Sequence, residues 1–359
     1  MNLDNRQLLF ALGRPFAPLY GLAMRLREQG YRKGIFTSER LPVPVISVGN
    51  LTMGGTGKTP MVQAIVRLLL DMGRKPAVIS RGYGGSTKEP VNVVSDGRTV
   101  LLPADLVGDE PRLLAETLPG AMVLTGVVRR LPARRAVAMG ADVLVLDDGF
   151  QHMAVARDLD LVLFSADHLA GNSRIFPGGD LREPVAALAR ASAFVLTGTG
   201  PDNQERAKRF AGLLTTRFPA TPVFFTRTRV SGLVLRSGAS CIPAGSDYHQ
   251  LAREKIFALC GIARPDSFRQ TLARCNITPE AFLALPDHHR YKEADLARIR
   301  REVKISGAGT ILTTEKDLVK LGQAELGVPV FGVRLHVEMD ESFREKLITA
   351  LTAAPQASG

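Results

Sequence analysis

Pro44-Val-Ile-Ser-Val-Gly49-Asn50-Leu-Thr-Met-Gly54-Gly55-Thr56-Gly57-Lys58-Thr59-Pro60 is the stretch whose reading decides the fold. The apolar run from Val43 to Val48 reads as a buried parallel strand. A glycine-rich turn follows, and Met61 to Leu70 carries apolar residues at helical spacing. Strand, turn, Gly-Lys-Thr and helix are the context of a phosphate-binding loop. Gly54, Gly55 and Gly57 are expected to let the backbone turn tightly and aim its N–H groups at one anion. The helix N-terminus adds partial positive charge. Lys58 is expected at the β- and γ-phosphates of a nucleotide, and the Thr59 hydroxyl at Mg²⁺. Thr52 stands where the common motif has its first glycine, so the doubled glycine at 54 and 55 is expected to take over the turning role.

The chain has 359 residues, enough for a large core and two domains. Hydrophobic residues make up 45%, which excludes a disordered chain. Lys and Arg number 46 against 35 Asp and Glu, a net +11 that suits an anionic partner such as a nucleotide, an acidic lipid surface or nucleic acid. Tryptophan is absent and aromatics are 6%, which weakens a base-stacking nucleic-acid reading. Cys241, Cys260 and Cys275 are widely spaced and form no CxxC pair, which points to a reducing compartment without a zinc site. Near the start, Leu8 to Met24 is mostly apolar, broken by Arg14, Pro15 and Pro18 and followed by Arg25, Arg27, Arg32 and Lys33. It lacks the basic lead of a signal peptide and is short for a spanning helix. Two readings stay open: an interfacial segment on an anionic membrane, or a helix packed on the domain.

Further motifs sit where strands end. Lys75 to Ser80 reads as a strand leading into Arg81-Gly82-Tyr83-Gly84-Gly85, and such C-terminal strand ends line the ligand crevice of parallel α/β sheets. Gly108-Asp109-Glu110-Pro111 precedes a helix expected to open at Arg112; Asp109 reads as a cap or as a general base. Ala141 to Leu146 is an apolar strand ending in Asp147-Asp148-Gly149-Phe150-Gln151-His152. Paired carboxylates at a buried strand end suit hard-oxygen binding of Mg²⁺ beside a nucleotide. Asp160–Phe164 and Ala193–Thr197 read as further buried strands, with Phe176-Pro-Gly-Gly-Asp-Leu-Arg182-Glu183-Pro184 between them. Alternating strands and helices imply a mostly parallel sheet. A β-rich passage from Thr221 and a Gly/Ser-rich stretch to Ser246 mark the boundary of a second α/β unit. That unit holds Ile256–Ala263, a helix through Ala273, Pro286-Asp287-His288-His289-Arg290-Tyr291 and Thr310-Ile-Leu-Thr-Thr-Glu315-Lys316-Asp317. His288 reads either as a proton-handling group oriented by a carboxylate or as part of a capped, polar surface turn.

Together GNLTMGGTGKTP, SRGYGG, GDEP, LDDGFQH, FPGGDLREP, GIARPDSF, LPDHHRY and TTEKD resemble the tetraacyldisaccharide 4′-kinase family, the lipid A kinases of bacteria with an outer membrane. The resemblance runs in order from about residue 45 to 320, and the family shares the Thr52 variant of the loop. It implies a P-loop NTPase-like α/β fold, a mostly parallel sheet with helices on both faces plus a smaller C-terminal α/β domain. With the boundary drawn from composition, the expected parts are an N-terminal membrane-associating segment at 1–27, a kinase domain at 28–222 and the C-terminal domain at 223–359. The implied reaction moves the γ-phosphate of ATP to the 4′-hydroxyl of an acylated glucosamine disaccharide 1-phosphate, giving lipid IVA at the cytoplasmic face of the inner membrane. Carried over residue by residue, Thr52, Met53, Gly54, Gly55, Thr56, Gly57, Lys58 and Thr59 hold ATP, and Thr59, Asp147 and Asp148 hold Mg²⁺. Asp109 becomes the base, tuned by His288. Tyr83, Arg129, Gln151 and His152 become substrate contacts, with Arg130 adjacent to Arg129. The expected partners are the lipid and an anionic membrane surface, with neither nucleic acid nor a protein partner. The family's membrane association also favours the interfacial reading of Leu8 to Met24. A phosphate-loop ATPase serving as a protein switch, and a nucleic-acid-dependent ATPase, are the rivals; the second lacks a clear Lys/Arg stripe.

Overall fold

The computed structural model describes residues 3–237, 240–243 and 254–353. The end of the Gly/Ser-rich stretch near Ser246 lies outside the described residues. Among the described residues, thirteen strands join in one sheet. In chain order they are β1 (Val45–Asn50), β2 (Pro76–Ser80), β3 (Asn92–Asp96), β4 (Met122–Thr125), β5 (Val143–Asp147), β6 (Leu159–Ser165) and β7 (Ala193–Thr197). The rest are β8 (Val223–Ser237), β9 (Ser240–Pro243), β10 (Ile256–Cys260), β11 (Ala281–Ala284), β12 (Thr310–Thr314) and β13 (Val330–Met339).

The first half reads β8-β7-β6-β1-β5-β2-β4-β3 across the sheet. Every pairing in it is parallel except β3 against β4. The second half, β11-β10-β12-β13, is parallel throughout. One antiparallel contact joins the halves: β8 pairs with β7 over its first residues and then with β13 along most of its length.

The continuous apolar runs follow from burial on both faces. On one face Ile46, Val48, Val143 and Val145 pack with the helix Lys58–Asp71, through Met61, Val62, Ile65 and Leu69. On the other, Val45, Leu144 and Leu146 pack with Ala133 and Ala136 of the helix Arg130–Ala138. The second half repeats the layering around β10. Phe257 and Leu259 face the helix Glu293–Ser306, and Ile256, Ala258 and Cys260 face the helix Pro265–Arg274.

Several boundaries differ from the sequence reading. The helix expected at Arg112 opens at Asp109 and runs to Thr117, with Gly108 at its N-cap, so Asp109 is not the cap. The sequence reading did not include β3, β4, β11 or β13, although Met122–Leu124 is an apolar run and Val333, Leu335, Val337 and Met339 alternate with Arg334, His336 and Glu338. The C-terminal helix Glu341–Ala353 returns to the first half: Phe343, Leu347 and Leu351 enter the core beside β1. This helix, from the stretch expected as the C-terminal domain, therefore packs with the first half.

The start of the chain forms the helix Leu3–Gly13, a 3₁₀ turn at Arg14–Phe16 and the helix Ala17–Arg32, the break falling at Arg14 and Pro15. Leu8, Leu12, Phe16, Leu19, Leu22 and Leu26 are exposed. Among the described residues no helix is long and apolar enough to cross a membrane.

Candidate active site

β1 delivers the glycine loop to the C-terminal edge of the parallel strands. Gly54 and Gly57 adopt φ of 104° and 78°, in the range where a side chain is strained. Gly55 takes no positive φ, so only the first glycine of the doublet does the turning expected of both. A Cβ at Gly57 would lie 3.3 Å from the Thr197 hydroxyl oxygen, and that hydroxyl donates to the Thr56 carbonyl at 2.8 Å. The loop is also tied to the Phe176–Pro184 segment, for Met53 N–H donates to Asp180 O and Arg182 N–H to Leu51 O, each at 2.8 Å. From the first residue of the following helix, Lys58 Nζ donates to Asn50 Oδ1 at 3.1 Å and lies 3.4 Å from Asp148.

Beside this loop, β5 ends in two carboxylates with opposite electrostatics. Burial, with Glu110 and Asp148 nearby, pushes the Asp147 carboxyl up to about 6. At Asp148 burial works against the charge, but Lys58 and Arg182 outweigh it and hold the carboxyl down at about 2. Arg182 binds both oxygens of Asp148, at 3.0 and 2.8 Å. Asp147 accepts from the Ser80 hydroxyl at 3.1 Å, and its carbonyl accepts from buried Arg129 at 2.6 Å.

A second cluster joins the two halves. His288 Nδ1 lies 3.0 and 3.1 Å from the two oxygens of Asp109. Burial opposes the Asp109 charge, but the His288 hydrogen bond and the Lys316 charge outweigh it and keep the carboxyl below its usual range. The hydrogen bond to Asp109 in turn raises the His288 imidazole above its ordinary value. Lys316 Nζ sits 3.1 Å from Glu110, 3.3 Å from Asp287 and 3.7 Å from Asp109. The Tyr83 ring meets the His288 ring edge-on, with centroids 5.3 Å apart.

One cleft of about 550 Å³ between the halves brings together Gly54–Thr59, Asp147, Asp148, Tyr83, Arg129 and His288. Asp109 lines an adjoining cleft, with His288 shared between the two. Four of the residues singled out in the sequence line neither. Thr52 is buried and pairs with Leu181, and Met53 is held at Asp180. The Gln151 side chain donates to the Asn50 carbonyl at 2.9 Å. Burial first, and then Arg129, Arg27, Arg81 and Arg157, push the His152 imidazole down to about 4, so it is neutral at pH 7. Sequence reasoning passed over Asn50, Arg182 and Lys316. All three lay inside quoted motifs at strand or loop ends, a signal that marks a region without separating a ligand-facing side chain from a structural one.

A model of the family described as tetraacyldisaccharide-1-P 4'-kinase, LpxK, matches residues 9–352. The tetraacyldisaccharide 4'-kinase of Desulfotalea psychrophila is 43% identical over 347 residues, spanning 96% of this chain and 98% of that protein. That of Syntrophus aciditrophicus is 43% identical over 344 residues, spanning 93% and 91%. Among solved structures, LpxK from Aquifex aeolicus in complex with ATP is similar at a TM-score of 0.75 and 30% identity, covering 94% of this chain and 97% of that one.

Proposed function

The chain belongs to the tetraacyldisaccharide-1-P 4'-kinase family, and from that premise we propose how its residues carry out the transfer of the ATP γ-phosphate to the 4′-hydroxyl of a tetraacylated disaccharide 1-phosphate. The observation that carries this reading is the cleft that puts the glycine loop of one half opposite His288 of the other. Phosphoryl transfer needs alignment and charge neutralisation more than covalent help. Gly54–Thr59 present backbone N–H groups and Lys58 to the ATP phosphates. The acceptor oxygen attacks the γ-phosphorus, the bond from that phosphorus to the β–γ bridging oxygen breaks, and ADP leaves. Asp109 takes the hydroxyl proton. His288 holds the carboxylate in place and helps keep it in the ionised form that accepts the proton. Arg182, at present paired with Asp148, and Tyr83 face the same space, and we assign them with Arg129 to the acceptor side. Gln151 acts at one remove, by holding the strand end at the Asn50 carbonyl, and the His152 carbonyl holds Arg157.

Thr59, Asp147 and Asp148 offer only hard oxygen donors. Among the described residues no group of three or more His, Cys, Asp or Glu could hold an ion alone. Mg²⁺ fits here with phosphate and water oxygens completing its shell, and a cation would relieve the strain that raises Asp147. When bound, it supplies charge neutralisation at the β- and γ-phosphates.

The N-terminal helices are tied to the same site. The Tyr20 hydroxyl donates to the Arg182 carbonyl at 3.0 Å, and Arg27 donates to the Gln151 carbonyl at 3.0 Å. With the exposed leucines and basic residues of that region, this supports peripheral docking on an anionic bilayer, at the cytoplasmic face where ATP is available, with the acceptor lipid entering beside the loops they touch. We divide the chain into a docking segment (1–27), a phosphate-loop unit (28–222, with the C-terminal helix added to it by packing) and a smaller α/β unit between them.

The test is ATP turnover with γ-labelled ATP in mixed micelles containing the acylated disaccharide 1-phosphate. Label should move to the lipid. ATP hydrolysis indifferent to the lipid, or stimulated only by nucleic acid, would reject this reading.

A further inference from the structure

We infer that Lys316 is a positioning residue: its ammonium donates to Nε2 of His288 and fixes the neutral imidazole tautomer that presents its Nδ1–H to Asp109. The inference rests on the Asp109–His288 reading given above and names the group that orients that pair.

Lys316 Nζ lies 3.3 Å from His288 Nε2. A lysine ammonium has donors and no acceptor, so this contact is favourable only if Nε2 is unprotonated. A neutral imidazole that accepts at Nε2 carries its proton at Nδ1. Nδ1 is the atom 3.0 and 3.1 Å from the Asp109 oxygens. For an Nε2–H, the Asp287 Oδ2 carboxylate oxygen is 3.8 Å away, beyond hydrogen-bond reach. Glu110, Asp109 and Asp287 outweigh the effect of burial and keep the ammonium protonated.

The mount is rigid. Lys316 follows β12 in the first turn of the helix Glu315–Leu321, and both of its neighbours are tethered. Glu315 accepts from Arg334 at 2.9 Å, while buried Asp317 accepts from Gly261 N–H and the Thr314 hydroxyl at 2.9 and 2.7 Å. A side chain from the second half thus sets the proton arrangement of a base carried by the first half. The pair is then complete only when the halves are together, which restrains ATP hydrolysis in their absence.

The groups facing His288 are Asp109, Asp287, Lys316 and the Tyr83 ring. Lys316 lowers the proton affinity of both His288 and Asp109. Protonating His288 turns Nε2 into a donor facing an ammonium and draws basicity from Asp109, so activity falls as pH falls through the imidazole titration. Removing the ammonium raises that titration, so the acid limb moves to higher pH.

The experiment uses the full chain with ATP and the acylated disaccharide 1-phosphate. Lys316→Met should lower kcat on the order of 10- to 100-fold, the scale of a lost orienting partner, leave KM for ATP unchanged and shift the acid limb upward. Lys316→Arg keeps a cationic donor and should keep the acid limb in place. Nitrogen-15 NMR of the unaltered protein should show His288 unprotonated at Nε2 above its titration, which needs no variant to fold. An Nε2-protonated neutral tautomer, a native kcat and acid limb in Lys316→Met, or a loss confined to KM for ATP would overturn the inference. Asp109→Asn is run in parallel. If it is depressed while Lys316→Met is native, this inference alone fails; native turnover in Asp109→Asn overturns the underlying pair as well.

Discussion

Replacing His288 by alanine and by asparagine separates the two things its ring does. Asn places an amide N–H₂ at the position of Nδ1, so it keeps a donor toward Asp109 and loses only Nε2. Asparagine also tolerates the left-handed backbone at this residue, where φ is 56°. Alanine removes both nitrogens. Positioned proton transfer contributes roughly 10²- to 10⁴-fold, or about 2.7 to 5.4 kcal/mol at 1.36 kcal/mol per tenfold. Asp109 is buried and retains Lys316 at 3.7 Å when His288 is lost, so its carboxylate stays charged. His288→Ala should therefore fall near the lower end, about 10²-fold in kcat, and Asp109→Asn, which removes the base itself, about 10³-fold or more. His288→Asn should recover part of the alanine loss. Groups acting as one unit are not additive, so Asp109→Asn with His288→Ala should cost little more than Asp109→Asn alone. The assay is kcat with labelled ATP and saturating lipid, with ATP affinity measured separately and expected to be unchanged. Strictly multiplicative losses of about 10⁵-fold in the double variant, from the two figures above, would refute the coupling. A main effect on ATP affinity would make Asp109 a nucleotide or metal ligand instead.

Three other outcomes follow from the geometry. Lys58→Ala should abolish transfer with the fold retained, because Arg182 still pairs with Asp148; near-normal turnover at saturating ATP would contradict it. Phe343 is fully buried and stacks on Phe224 with centroids 4.9 Å apart, so Phe343→Ala should cost about 3–5 kcal/mol of stability in urea unfolding; a loss near zero would detach the C-terminal helix from the first core. Deleting residues 1–27 should weaken co-sedimentation with anionic vesicles, and raising salt should weaken binding of the full chain; equal binding by both chains would remove the docking role.

The parallel α/β architecture and the phosphate loop could be read from sequence because their signals are local. A buried strand in a parallel sheet must be apolar on both faces, so β1, β5, β6 and β7 appear as unbroken runs. A tight loop over an anion needs glycine at fixed offsets from a helix start, so Gly54, Gly57 and Lys58 stood out together. The strand-end carboxylates Asp147 and Asp148 were legible for the same reason. Which of the two is pushed up and which is held down was not, since that depends on Glu110, Lys58 and Arg182 arriving from elsewhere. Asp109 and His288 are 179 positions apart, and Lys316 reaches Glu110 across 206. No periodicity spans such distances; the resemblance suggested the first pair, and only the antiparallel docking of β13 on β8 accounts for both. The same docking carries the C-terminal helix back to the first core, against a boundary drawn from composition at residue 223. Sequence fixes what each segment must bury or bend around, and tertiary structure decides which charges meet, because an ion pair is set by where two backbones come to rest rather than by the residues flanking either one.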